Sequence, residues 1–265
     1  MASATPAARA SGPVRIEAVS ADCYGQAKSR LRELVVSLGA QGTARLPSEA
    51  ELSAAMGVSR PTLRSALQSL QEEGRIRRLH GRGTFINRHA VGVRANLGEA
   101  GAFLDLLDQE GYQSSMSIVE QRVVPLDAGA LASLELPSGE TGLRIERIFH
   151  ADGVPAVHSV DLFPVRLLAG GHERPPEALD ATRSTFEFVR TYLDHPVCYS
   201  VAEVRPVLAP PEVATHMRIP ATQPVLRLRH THIQSDEQPV AVTVAHVNDD
   251  YLRFSVIRSH LDERP

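Results

Sequence analysis

What this chain lacks narrows its function before any motif appears. Cysteine occurs twice in 265 residues, at Cys23 and Cys198, too far apart to form a motif. Free or buried thiols in a reducing compartment are therefore expected, which places the chain in the cytoplasm. No apolar run reaches the roughly 20 residues of a membrane-spanning helix, so no membrane partner is expected. The opening MASATPAARASGP has no continuous apolar segment and does not read as a signal peptide; a disordered tail is expected over residues 1–22. Nucleophile-elbow, HExxH, phosphate-loop and CxxC patterns are all missing, which argues against an enzyme. Lysine occurs once, at Lys28 in the first predicted helix, and this together with the length excludes an aminotransferase domain.

What is present is unevenly distributed. The net charge of −3 divides into a basic stretch, residues 23–90, with eleven Lys/Arg against five Asp/Glu, and an acidic remainder, residues 91–265, with fifteen against twenty-four. A basic module on an acidic body suits a protein that meets nucleic acid through one face, because phosphate attraction supplies most non-specific affinity.

The basic stretch is organised by LPSEAELSAAMGVSRPTLRSALQSLQEEGRIRRLHGRGTFI, Leu46 to Ile86. Ser48 and Glu51 form a capping box for one helix, and Gly57 stands where that helix needs a left-handed end. Ser59 caps a second helix with Pro61 in its first turn, and Leu63, Ala66, Leu67 and Leu70 give it one buried stripe. Tyr24 to Leu38 supplies a helix to pack behind both. The layout is a helix-turn-helix. Arg60 and Arg64 are one turn apart near the start of the second helix, the position from which a recognition helix meets base edges. Arginine can grip guanine with two parallel hydrogen bonds, while Ser59 and Thr62 can donate to phosphates. Two short strands then flank the turn His80-Gly81-Arg82-Gly83, a basic wing whose Arg82 can enter a narrow minor groove.

At these residues the chain resembles the GntR family of bacterial winged-helix repressors, through LPSE, GVSRPTLRSAL and GRGTFI. The resemblance implies base or phosphate contacts at Ser59, Arg60, Pro61, Arg64, His80 and Gly81. With Ser48, Thr62, Arg82 and Gly83 these are the candidate contacts to double-stranded operator DNA. Many members carry arginine just after the SE pair, where this chain has Ala50, so operator sequence or affinity is expected to depart from the family norm.

Residues 23–88 are thus expected to form the DNA-binding domain and 89–98 a linker. A second domain is expected over 99–257 and a tail over 258–265. In the second domain Glu99 to Glu110 reads as an amphipathic helix, after which the period changes to that of strands. These are Ser114 to Pro125, Gly142 to His150, Pro155 to Phe163, Tyr199 to Leu208, Val225 to Ile233 and Pro239 to Val247. Short helices lie between them at Leu126 to Leu134, Ser184 to Leu193 and Pro211 to Met217. The fold class is α+β with a mostly antiparallel sheet. In one strand Arg147 alternates in phase with Leu143, Ile145 and Phe149, so a guanidinium points with apolar side chains and must be paired. Its partner is either an internal acid or an anionic ligand held by two hydrogen bonds. Ser184 and Thr185 open a helix, and Ser114 and Ser115 open a strand. Both pairs can serve an anion or merely cap.

GLRIERIFHADGVPAVHSVDLFP, STFEFVRTYL and PVLRLRHTHIQSDEQPVAVTVAHVNDDYLRF are similar to the effector-binding UTRA domain of HutC-type GntR regulators, over about residues 97–257. The resemblance implies a chorismate-lyase-like fold that binds a small molecule, forms a homodimer and controls DNA affinity. Candidate effector residues are Ser114, Ser115, Arg147, Phe149, His158, Asp161, Ser184, Thr185, Phe186 and His246. Amino-sugar-phosphate sensors of this family carry polar or charged residues where this chain has Phe149, Ser159, Val160 and Ala241, and a tyrosine at Phe186. A smaller anion, or an effector with an apolar or aromatic part, is therefore expected. His230 and His232 share a strand face with Leu226 and Leu228, but no third ligand is placed by sequence, so neither a metal nor another cofactor is expected. His158 and His246 can bond a ligand or sit in the core. The alternative for this domain is a module that only dimerises and binds no metabolite.

Overall fold

The computed structural model describes residues 21–90, 93, 95–97, 101–168, 175–193 and 196–257. The tails expected over 1–22 and 258–265 lie outside the described residues, except that Ala21 and Asp22 already belong to the first helix. Residues 91, 92, 94 and 98 of the expected linker lie outside them too. The chain divides into two compact units, one ending at Gly92 and the other spanning Val93–Val256, and Ile257 groups with the first.

The first unit is built from α1 (Ala21–Ala40), α2 (Glu49–Met56), α3 (Arg60–Glu72), β1 (Ile76–Leu79) and β2 (Gly83–Ile86). Ser48 accepts from the Glu51 amide at 3.3 Å while its own amide donates to the Glu51 carboxylate at 2.8 Å, a reciprocal cap worth about 1 kcal/mol. Gly57 ends α2 at φ 65°, a conformation that costs a glycine nothing. Ser59 caps α3 through the Thr62 amide. The stripe Leu63, Ala66, Leu67 and Leu70 is fully buried against Leu31, Val35 and Leu52. Lys28 and Arg32 of α1 both reach Glu73 at the end of α3. Burial of Glu73 opposes ionisation, yet these cations hold its carboxyl below the usual range.

The second unit contains β3 (Ala95–Asn96), α4 (Phe103–Glu110), β4 (Ser114–Pro125), α5 (Ala128–Ser133), β5 (Thr141–Ala151) and β6 (Val154–Pro164). It continues with α6 (Val165–Leu168), α7 (Thr185–Tyr192), β7 (Val197–Leu208), α8 (Pro211–Met217), β8 (Pro224–Gln234), β9 (Pro239–Val247) and β10 (Phe254–Ser255). Six strands make one antiparallel sheet in the order β4-β5-β6-β9-β8-β7. Two expectations need correcting. Ala95 and Asn96 are not linker but a strand paired in parallel with β10, and Ala95 is buried beside Leu107 and Leu252. A two-residue strand is too short to show a period. The helix expected from Glu99 starts at Phe103, after Ala102, which offers no side-chain cap.

Alternation sorts the sheet into two faces. Leu143, Ile145, Arg147 and Phe149 of β5 share the first face with Val157, Ser159, Asp161 and Phe163 of β6 and with Thr243 of β9. Apolar residues of α7 cover one end of it, where Phe188 stacks on Phe163 at 4.3 Å between ring centres. Removing that fully buried ring would cost about 3–5 kcal/mol. The second face carries Arg144, Glu146, His158, Leu162, Val242 and His246, with α5 packed on Leu162 and Val242.

Candidate functional site

The first unit presents its polar residues in one basic set. Arg60 is exposed at the first position of α3, and the Arg64 side chain is 65% exposed one turn later. β1 and β2 pair with Ile76 opposite Ile86 and Leu79 opposite Gly83, leaving His80, Gly81 and Arg82 at an exposed turn. Ser48, Ser59, Pro61 and Gly83 are exposed as well, and Thr62 is half-buried. The hydroxyls of Ser59 and Thr62 bond each other at 2.7 Å, and that of Ser48 donates to Glu51 at 2.7 Å.

Two features of this surface were not read from the sequence. Arg45, in what looks like a plain loop, pairs with Phe85 as a third lane of the wing. Its guanidinium crosses Gly83 so closely that a Cβ there would stand 2.9 Å from Arg45 Nε, and Gly83 also has φ 104°. Only glycine fits. The second feature is Glu49. Its carboxylate accepts from Arg64 Nε at 2.8 Å and also pairs with Arg78. The hydrogen bond from Arg64 holds Glu49 below the usual carboxylate range. Arg64 is thus tied through Nε to an acid of α2 while its side chain stays exposed.

The second unit contains a cavity of about 500 Å³ on the first face of the sheet. Phe103, Leu104 and Leu106 of α4, Met116, Phe149, Phe186 and Leu228 form its apolar wall. Its polar wall is Arg147, Ser159, Asp161, Thr243, His230, His232 and Ser200, with Thr182 to Glu187 and Arg190 beside them.

The Arg147 side chain is 2% exposed and bonds Asp161, with Nε donating to the Ala181 carbonyl at 2.9 Å and Nη2 to the Arg183 carbonyl at 3.1 Å. Of the two pairings expected for it, the internal acid is the one present. Three such bonds leave two of the five N–H donors for anything else.

The proton positions along this wall follow from one constraint. Asp161, paired with Arg147, can only accept. Thr185, at 2.9 Å, and Thr243 therefore both donate their hydroxyl protons to its Oδ1. Thr243 Oγ1 must then accept from His232 Nε2 at 2.8 Å. Burial pushes His232 from 6.5 down to about 4, so the ring is neutral near pH 7 and has one proton, already placed on Nε2. Its Nδ1 is a bare acceptor for the Ser200 hydroxyl at 2.8 Å. His230 stacks on His232 at 5.9 Å and is also held neutral by burial. The wall thus runs in one direction, Ser200 to His232 to Thr243 to Asp161.

Of the candidate effector residues, Arg147, Phe149, Asp161, Ser184, Thr185 and Phe186 line this cavity. The Ser184 hydroxyl, however, is engaged in a capping box with Glu187. Four candidates fall elsewhere. Ser114 and Ser115 begin β4 opposite Ala151 and His150 and do not border the cavity. His158 and His246 sit on the opposite face of the sheet. The cause is a bulge. From the two-residue turn after Ala151 a regular hairpin would pair Arg147 with His158, but the register shifts between Phe149 and His150, and Arg147 faces Ser159 instead. His230, His232, Thr243 and Ser200 were missed. The period of β8 placed the two histidines together with Leu228, but the register that brings Thr243 and Ser200 to them is not written in any one strand.

Comparison with known proteins bears on both units. Residues 23–86 match the family described as bacterial regulatory proteins, gntR family, and residues 109–253 match the family described as UTRA domain. The chain is 26% identical over 210 residues to the HTH-type transcriptional regulator GgaR of Escherichia coli strain K12, covering 79% of this chain and 80% of that one. It is 24% identical over 208 residues to the HTH-type transcriptional repressor NagR of Bacillus subtilis strain 168, covering 78% and 83%. In fold it is similar to the possible transcriptional regulator YydK of Bacillus subtilis, with a TM-score of 0.67, 18% identity and coverage of 89% and 99%. It is also similar to PhnF of Mycobacterium smegmatis, with a TM-score of 0.56, 20% identity and coverage of 88% and 99%.

Proposed function

The chain belongs to the gntR family of bacterial regulatory proteins, in the branch that carries a UTRA domain, and is a transcriptional regulator rather than an enzyme; on that premise we propose that it is a cytoplasmic repressor whose grip on a palindromic operator is set by a small molecule in the second unit. The observation that carries the effector reading is the cavity, with one apolar wall and one polar wall ordered by the chain from Ser200 through His232 and Thr243 to Asp161. Preformed concave sites with a few fixed polar groups are where small molecules bind. The wall of Phe103, Phe149 and Phe186 suits an effector with an apolar or aromatic part. Its anionic part is met by Arg183, Arg190 and the two N–H groups that Arg147 has left.

Arg60 and Arg64, with the wing residues His80, Gly81, Arg82 and Gly83 and the helix starts at Ser48, Ser59, Pro61 and Thr62, form the DNA surface. The homodimer is supported by β7, which among the described residues pairs on one side only and leaves Tyr199, Val201, Val204 and Leu208 exposed. An exposed apolar edge strand invites a partner, and a second copy covers it here. The two recognition helices then read two half-sites. Effector control requires that the ligand favour one of two states that differ in DNA affinity.

Two experiments test this. Selection of DNA ligands followed by fluorescence anisotropy is expected to give a palindrome, with Arg64→Ala weakening it roughly ten- to a hundredfold and relaxing one base position. A monomer on a single half-site would contradict the dimer. A thermal-shift panel of aromatic acids, carboxylates, phosphonates and sugar phosphates is expected to give a hit that Thr243→Val, which breaks the His232 to Asp161 relay, abolishes. Tight binding of glucosamine 6-phosphate would contradict the effector class. No hit across the panel would favour a domain that only dimerises.

A further inference from the structure

The second face of the sheet gathers a set of groups that the effector cavity does not use. Glu146 of β5, His158 of β6 and His216 of α8 meet there. Glu146 Oε1 stands 2.6 Å from His158 Nε2 and 3.1 Å from His216 Nδ1. These three atoms all lie within 4.8 Å of one another. We propose that Glu146, His158 and His216 form a binding site for a divalent transition metal, zinc by its donor set.

As a hydrogen-bonded cluster the set is incomplete, because the carboxylate is bonded by His158 but not by His216. Two imidazole nitrogens converge on a single carboxylate oxygen, and His216 Nδ1, although 3.1 Å away and buried, is not aligned to bond it. A cation between the three atoms satisfies all of them at once. The other carboxylate oxygen, Oε2, is held at 2.6 Å by Arg144 Nη1, which fixes Oε1 toward the imidazoles as a single donor. Outer partners of this kind orient metal ligands. Arg144 is in turn surrounded by Glu120 at 2.7 Å and Glu212 at 3.8 Å, so its charge is offset and the cluster stays hospitable to a cation.

The site is a built one. The His158 and Glu146 side chains are 4% and 3% exposed, whereas His216 is 30% exposed and opens a path to solvent. His158 stacks on His216 with ring centres 5.5 Å apart. His246, directly across the strand pair from His158 at 6.0 Å, has a buried Nδ1 without a hydrogen-bond partner and borders the cluster. Two histidines and one glutamate are a common zinc set that leaves a further position open. Zinc also stands high in the affinity order for nitrogen and oxygen ligands.

The experiment uses the untagged full-length chain, stripped with chelator and titrated with zinc by calorimetry, with cobalt as a spectroscopic substitute. One equivalent per chain is expected, with visible cobalt bands of a four- or five-coordinate site. His216→Ala is expected to weaken zinc by roughly a hundredfold or more and to erase the bands. His216 is partly exposed, so this variant keeps its fold, and far-UV circular dichroism checks that; His216→Gln repeats the test with less change in volume. Thr215→Ser, at an exposed position on the same helix, is expected to leave binding intact. No uptake of an equivalent by the parent chain overturns the site. Equal uptake by parent and His216→Ala also overturns it, since this would mean adventitious surface metal only.

Discussion

Replacing His232 by glutamine isolates a pH effect that the buried relay makes calculable. Burial lowers His232 from 6.5 to about 4. In the unfolded chain the imidazole takes a proton near its ordinary value, while the folded chain refuses it until about pH 4. Above pH 6.5 both states are neutral and the residue contributes no pH dependence. As the pH falls the unfolded state gains the proton first, so stability is lost through this window and levels off below about 4. At 1.36 kcal/mol per pH unit the full loss is about 3 kcal/mol, and most of it is reached by about pH 4.5. Glutamine can repeat both neutral contacts, donating to Thr243 and accepting from Ser200, but it does not titrate. The variant is thus expected to cost no more than about 1 kcal/mol near pH 7.5. Urea unfolding from about pH 7.5 to about pH 4.5 is expected to show the parent losing about 2–3 kcal/mol more than the variant. His246 is also lowered to about 4, by burial and by His158 and Arg227, so the variant keeps a slope of its own. Parallel curves for the two proteins would refute the neutral, Nε2-protonated assignment.

Other perturbations separate the two units. Asp161→Asn turns an amide donor toward the Arg147 guanidinium and leaves a buried charge without its partner, which is expected to cost about 3–5 kcal/mol of stability in urea unfolding; a loss below about 1 kcal/mol would show that the two carbonyls suffice. Glu49→Gln frees Arg64 and Arg78 together and is expected to strengthen non-specific DNA binding and steepen its salt dependence, as read by anisotropy at several salt concentrations. Gly83→Val drives a branched side chain into Arg45 at a left-handed position; weakened operator binding with an unchanged effector response is expected, measured by anisotropy and thermal shift on one preparation.

The first unit was legible almost to the residue because its signals are local. A cap, a stripe and a C-terminal glycine each need only a few neighbours, and Ser48, Gly57, Ser59 and the Leu63 to Leu70 stripe all hold those places in the structure. The strands of the second unit were legible for the same reason, and β4, β9 and α8 span the expected residues. Arg147 was legible as a buried cation because its phase against Leu143, Ile145 and Phe149 is set within one strand. What the period of a strand does not carry is its offset from the next. One extra residue near Ala156 sends His158 away from Arg147 and toward Glu146, and a second bulge between His232 and Ile233 sets which β9 residues meet His232. Arg45 and Glu49 were illegible for a related reason: their partners Gly83, Arg64 and Arg78 arrive from later elements, β2, α3 and β1.

That alternation has a consequence for how the chain can change over time. Glu146 and Arg147 are chain neighbours, as are His158 and Ser159, yet each pair is divided between the two faces of the sheet. Point substitutions can remodel one side while leaving the other untouched, so the two sides are free to drift on separate schedules. Insertion or deletion of a single residue within β5 or β6 has no such freedom, because it exchanges every side chain beyond it from one face to the other. Lineages of this fold should accept many replacements in these strands and very few changes of their length.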